Sequence, residues 1–222
     1  MMNTNPGNPA HTNNLRVIDG NGMMPRVSVL IDGKRVLNNV TFLTQTGYVA
    51  IPSGAHELTL DGWLDPPNTS GPENFPAGQK STLVFEGCGI FGRSSFQLIT
   101  DDVTPPAPGN FKLRIVYGAI TTPGSEVFFL PAGAPPSGTP IFGAMAMASG
   151  TSPSPYLSFP AGTYHIVLTQ LGNTTVQFDS GPIDFSSGQN RTYYVFQNGG
   201  QTASPGFFCD TEFKPMLVSD LN

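Results

Sequence analysis

Charge is what this sequence of 222 residues has least of. Asp, Glu, Lys and Arg make up 11% of it, well below the roughly 25% usual in soluble domains. Ser, Thr, Asn, Gln and Gly must therefore cover the surface, a composition more usual in secreted proteins than in cytoplasmic enzymes. The ten basic residues form no cluster and the net charge is −5, so nothing could neutralise a run of phosphates and nucleic acid is not expected as a partner. Long apolar runs are missing too. No stretch approaches the roughly 18 residues a membrane-spanning helix needs, and no direct membrane insertion is visible. Residues 1–14, "MMNTNPGNPAHTNN", have neither the basic head nor the apolar segment of a signal peptide. They read as a flexible lead, and an exported protein would have lost its signal or carry it outside this sequence. Helical periodicity is also absent, since no window keeps it for more than a turn or two.

Turns and aromatic strands are present instead. Gly 26 and Pro 22 supply turn formers throughout, while Phe 16 and Tyr 6 arrive in compact clusters, which argues against disorder. The order of these features is written twice. Sliding "YVAIPSGAHELTL" from Tyr48 onto "YLSFPAGTYHIVL" from Tyr156 brings Pro52 onto Pro160, Gly54 onto Gly162, Leu58 onto Ile166 and Leu60 onto Leu168. The even-numbered residues after each turn are apolar, as one face of a half-buried strand requires. Upstream, "LRVI" from Leu15 matches "LRIV" from Leu113. Downstream, "STLVFEG" from Ser81 matches "TYYVFQN" from Thr192, and "LITD" from Leu98 matches "LVSD" from Leu217. The separations widen along the chain without changing order, as loop insertions between retained strands would produce.

Strands are expected near Leu15–Ile18, Arg26–Ile31, Lys34–Val40, Thr46–Ile51, His56–Leu60, Ser81–Glu86 and Phe96–Thr100. Asp32-Gly33 marks a tight hairpin turn, and Pro52-Ser53-Gly54 and Pro160-Ala161-Gly162 mark turns that need a fixed φ followed by a permissive one. "GAMAMASG", Gly143–Gly150, fits an extended or loop conformation at least as well as a helix. About seven short antiparallel strands per hundred residues point to an all-β fold of two tandem antiparallel β-sandwiches, immunoglobulin-like or transthyretin-like. The expected domains are 15–106 and 107–222, divided near the proline-rich Thr104–Asn110.

These segments, in this order, resemble the DUF4397 family: bacterial extracytoplasmic domains of unknown function whose repeats run as an LRVVHASPDAP-type strand and loop, a VDVYVDG hairpin, SGY…PAG and a final strand pair. "LRVIDGNGMMPRVSVLIDG" and "TGYVAIPSG" carry the resemblance in the first half, "LRIVYGAITTPGSEVFFLPAG" and "PYLSFPAGTY" in the second. The family's histidine falls on Asp19 and Tyr117, its aspartate on Met23 and Thr121, and the acidic position of the next strand on Ser28 and Glu126. The resemblance therefore implies an inherited scaffold and no inherited chemistry.

Groups suited to catalysis are few. His11 lies in the lead, His56 shares the inward parity of Leu58 and Leu60, and His165 has the opposite parity, matching Glu57, which predicts a solvent-facing side chain. No HExxH, GxSxG or phosphate-binding glycine loop occurs. "DGNG", Asp19–Gly22, has a faint calcium-loop look but lacks the further acids such a loop needs, and reads as a turn. Asp101-Asp102 reads as a solvated corner between domains. The expectation is a protein that is not an enzyme and needs no cofactor or metal. A hydrolase with a hidden Asp pair is the least favoured alternative.

Binding is the favoured function. The first half inserts "DGWLDPPNTSGPENFPAGQK", Asp61–Lys80, which holds the only tryptophan, Trp63, with Asn74 and Phe75 nearby in sequence. Such a loop could stack on a sugar face or anchor a protein contact; the competing reading is that Trp63 caps an open end of the sandwich. The two cysteines, Cys88 and Cys209, are too far apart for a metal knuckle. They are either two thiols or one long-range disulfide between the halves. Together these features predict a secreted, periplasmic or cell-surface module that recognises an extracellular glycan or surface protein, or else a structural spacer of the cell envelope.

Overall fold

The computed structural model describes residues 12–22, 26–62, 68–86, 95–118, 125–145, 153–201 and 207–221. Among them the only regular elements are β-strands. The chain divides into two compact units, one of Met1–Asp102 with Gln197–Asp210 and the other of Val103–Phe196 with Thr211–Asn222.

In the first unit β1 (Thr12–Gly20) lies between β4 (Val49–Pro52) and β7 (Lys80–Glu86), with β8 (Ser95–Thr100) beyond β7. The opposing sheet runs β3 (Lys34–Val40), β2 (Val27–Ile31), β5 (Gly54–Asp61), β6 (Asn68–Phe75). All pairs are antiparallel except β1 with β7, which is parallel. The β2–β3 hairpin turns on Asp32 and Gly33 with φ of 49° and 74°, the left-handed pair an Asp-Gly turn supplies. Alternation does the rest. Leu15, Val17, Leu83 and Phe85 from one sheet meet Val29, Leu58, Leu60 and Phe75 from the other in one buried cluster, which makes the unit a sandwich. Each such side chain contributes about 1.5–3 kcal/mol by leaving water.

Strand β6 is the element that sequence reading treats as loop. "NTSGPENF" has low strand propensity and an internal proline, Pro72, which an edge strand tolerates because it need not donate on both sides.

The second unit repeats the strand order. β12 (Leu157–Pro160), β9 (Asn110–Tyr117), β16 (Asn190–Gln201) and β17 (Phe207–Ser219) form one sheet, again with the β9–β16 pair parallel, and β16 beyond Phe196 and β17 before Thr211 count with the first unit. β11 (Phe142–Met145), β10 (Ser125–Pro131), β13 (Gly162–Gln170) and β14 (Val176–Asp179) form the other, and β15 (Ile183–Phe185) pairs with β13 as well. Its core is more aromatic: Phe111 stacks on Phe185 at 4.4 Å between centroids, and Phe129 on Tyr164 at 4.5 Å.

The register corrects the sequence match between β7 and β16. Arg16 lies opposite Thr82, and Arg114 lies opposite Thr192. Thr82, not Ser81, is thus the partner of Thr192, and "STLVFEG" over "TYYVFQN" is out by one residue. In a strand that slip exchanges inner and outer faces. Leu83 and Phe85 correspond in the cores to Tyr193 and Val195.

Candidate functional site

The most developed polar arrangement lies on the face of the β1–β7 pair turned away from the first core. Arg16 and Thr82 sit side by side on the two parallel strands, Tyr48 immediately precedes β4, and Asp101 immediately follows β8. Arg16 Nε donates to Thr82 Oγ1 at 2.7 Å, and that hydroxyl donates to Asp101 Oδ2 at 2.7 Å. Tyr48 OH donates to the same oxygen at 2.8 Å, while the guanidinium lies 5.1 Å from the Tyr48 ring centroid. Arg16 Nη2 stands 3.5 Å from Asp101 Oδ1, with both side chains almost fully buried. Asp101 is therefore not the solvated corner its sequence suggests. Four strands of one sheet converge on its carboxylate.

The second unit repeats this group by group. Arg114 Nε donates to Thr192 Oγ1 at 2.7 Å, Thr192 donates to Asp220 Oδ2 at 2.6 Å, and Tyr156 OH donates to that oxygen at 2.8 Å. The Arg114 guanidinium lies 4.7 Å from the Tyr156 ring. Burial, seconded by the Asp220 charge, pushes the Tyr156 hydroxyl well above its ordinary range, so it stays a donor. A smaller motif is also doubled. Thr46 bonds back and forth with the Val17 backbone through its own N–H and Oγ1, as Ser154 does with Ile115. The two repeated tyrosines are thus the hydroxyl donors of two matching buried clusters. The chemistry is that of a lock: the carboxylate is surrounded by donors and the guanidinium by acceptors and a ring, so both charges are compensated where water is excluded.

The histidines make two unlike pairs. His56 Nδ1 lies 2.6 Å from Asp32 Oδ2, and Glu57 N–H donates to Asp32 Oδ1 at 2.9 Å. The His56 bond, then the Glu57 N–H, holds the Asp32 carboxyl below its usual range. His56 also packs on Phe75, 6.0 Å between ring centroids, in keeping with its inward parity. His165 departs from expectation. It is buried, with Nδ1 3.0 Å from Asp179 Oδ1 and Nε2 3.0 Å from the Ala134 carbonyl. Strand parity does place it opposite the core, but the chain following β10 covers that face, and such cover leaves no periodic trace.

One acid has no such partner. Asp19 shares the inward parity of Leu15 and Val17 and is completely buried. Its Oδ1 accepts the Asn21 N–H at 2.8 Å, while Oδ2 is sealed from solvent with no hydrogen bond. Burial raises its pKa from 3.8 to about 7, only partly offset by the Asn21 N–H. At the matching place in the second unit Tyr117 OH lies 3.0 Å from Ser125 Oγ, which donates to Gln177 Oε1 at 2.9 Å.

The residues singled out for ligand binding do not form one patch. Phe75 is fully buried in the first core and has no surface to offer a ligand. Asn74 is exposed but pairs with Ala55, near the Gly54 end of the β5–β6 hairpin. The connector between Asp61 and Asn68 leaves from the other end, about 20 Å away at the usual rise per strand residue. Trp63 belongs to that connector and lies outside the described residues, as do Cys88 and the side chain of Cys209. Among the described residues no group of three or more His, Cys, Asp and Glu is arranged to hold a metal, and no helix is long and apolar enough to cross a membrane.

The model of the DUF4397 family, a domain of unknown function, matches residues 13–127, from β1 into β10. That is more than half of the chain. The protein belongs to the DUF4397 family. No curated protein matches the chain. The matched span contains the whole Arg16–Thr82–Asp101–Tyr48 cluster and the buried Asp19, together with Arg114 of the second cluster.

Proposed function

We propose that this DUF4397 protein is a non-catalytic, secreted or cell-surface binding module whose two units are copies of one family domain, and that it recognises an extracellular polysaccharide or a surface protein. The observation that carries the reading is the contrast between frame and periphery. Both units keep the strand order and the same buried Arg–Thr–Asp–Tyr cluster, while the elements beside β5 and β13 differ: a single eight-residue edge strand, β6, in one unit, and the short β14 and β15 in the other. A fixed frame with divergent edges and loops suits recognition, because loops change freely where strands hold their ends.

A glycan array and a surface-protein pull-down with the full chain test the reading. Binding that Trp63→Ala abolishes, with unfolding unchanged, supports a site on the β5–β6 connector. Binding unaffected by that change removes Trp63 from the site. A second reading, a spacer of the cell envelope, is favoured by the burial of Phe75 and by the inward stacking of Phe111, Phe129, Tyr164 and Phe185, which commits these aromatics to cores. It predicts no ligand in either assay.

A further inference from the structure

We propose that Asp19 is a proton-controlled latch of the first unit: while its carboxyl is protonated the segment 41–46 stays closed on β1, and when it ionises the segment lets go. The geometry has three parts. Asp19 is wholly buried with Oδ2 unpartnered, in a position whose counterpart, Tyr117, has its hydroxyl satisfied. Its backbone is where segment 41–46 holds on: Leu43 N–H donates to the Asp19 carbonyl at 2.7 Å, and Asp19 N–H donates to the Thr44 carbonyl at 3.2 Å. The remaining ties are the Thr46–Val17 pair and the single bridge between Ile18 and Gln45. The segment is also strained, since Leu43 takes φ of 57°, a region side chains resist.

Among the described residues, the charged groups on the surrounding elements do not answer the carboxylate. Phe85, opposite Asp19 on β7, faces the core and carries no charge. Asp61, at the end of β5, is paired with Arg35 of β3. Arg26, ahead of β2, is exposed, and segment 41–46 contains no titratable side chain. Among the described residues an ionised Asp19 therefore has only the Asn21 N–H and must reach water, and parting segment 41–46 from β1 opens the way. The folded pKa is raised, so the closed form is favoured most below about 3.8. That preference declines as pH rises and is lost once pH passes about 7.

Amide hydrogen exchange of the full chain, corrected for intrinsic rates, tests this. Protection of the Leu43 and Thr46 amides should fall by up to about ten-fold per pH unit between about pH 4 and about pH 7, then level off. The Ser154 amide, which makes the bond matching that of Thr46 in the second unit, and the Ile115 amide, which matches Val17, should stay flat. Asp19→Asn should flatten Leu43 and Thr46 as well. A flat wild-type profile, an equal fall at Ile115 and Ser154, or an undiminished fall in Asp19→Asn each overturns the proposal. The first two outcomes need only the wild-type protein.

Discussion

The two units agree where their sheets turn away from the cores and disagree within the cores. On the outer face the same four residue types make the same bonds at nearly the same distances. Inside, a buried unpartnered acid in one unit stands where the other has a tyrosine hydroxyl satisfied by Ser125. A buried charge pair can be retained only as a set, because loss of one member strands the rest, whereas an inward position can drift as long as volume and polarity are locally absorbed. The retained outer cluster is thus best understood as frame.

The sharpest way to break the comparison is to remove one charge. Arg16→Met should destabilise the first unit by about 3–5 kcal/mol because it takes the buried guanidinium away from the buried Asp101 carboxylate. Arg114→Met should do the same to the second. Denaturant unfolding followed by hydrogen exchange assigns each loss to its unit. Phe75→Ala should cost a similar amount, about 3–5 kcal/mol, by emptying a core position, and any ligand affinity of the protein that remains folded should be unchanged.

The inner difference is tested by pH. Asp19→Asn should stabilise the first unit at pH 8 by about 1–4 kcal/mol and have far less effect at pH 4, where the wild-type carboxyl is already neutral. Tyr48→Phe and Tyr156→Phe should each cost about 1–2 kcal/mol through loss of a donor to a buried carboxylate, and the two losses should match. The smallest effects separate two glycines that the sequence presents as equals. Gly54 has φ of 124°, so Gly54→Ala should cost about 1 kcal/mol or more. Gly162 lacks a positive φ, and a Cβ there would only press on the Tyr164 ring at 3.3 Å. Gly162→Ala should therefore cost less, read as a smaller shift of the thermal midpoint.

Much of the frame was legible. Alternation at Leu58 and Leu60, the Asp32-Gly33 turn and the ordered repeats identify an all-β chain of sandwich type, because these signals are local. The cluster was nearly legible. Arg16 and Arg114, Tyr48 and Tyr156, and Asp101 and Asp220 all sit inside the matched segments. The fourth member was hidden when the shared Val-Phe of β7 and β16 drew the alignment one residue out of register and set Ser81 over Thr192. Strand β6 escaped because its edge position excuses a sequence poor in strand formers. The burial of His165 escaped because its cover comes from a loop. Asp19 gave the least warning, since an acid beside Gly20 and Asn21 reads as a turn and only the three-dimensional enclosure removes its water.

The hub of each lock is the threonine that accepts from arginine and donates to aspartate, and hydrogen exchange of full-length Thr82→Val and Thr192→Val tests its role most directly. The account predicts that Thr82→Val lowers protection first in β1, β4, β7 and β8, that Thr192→Val does so in β9, β12, β16 and β17, and that the two losses are alike. Wild-type protection in both variants, or a loss in only one, would contradict the claim that a single structural lock is used twice.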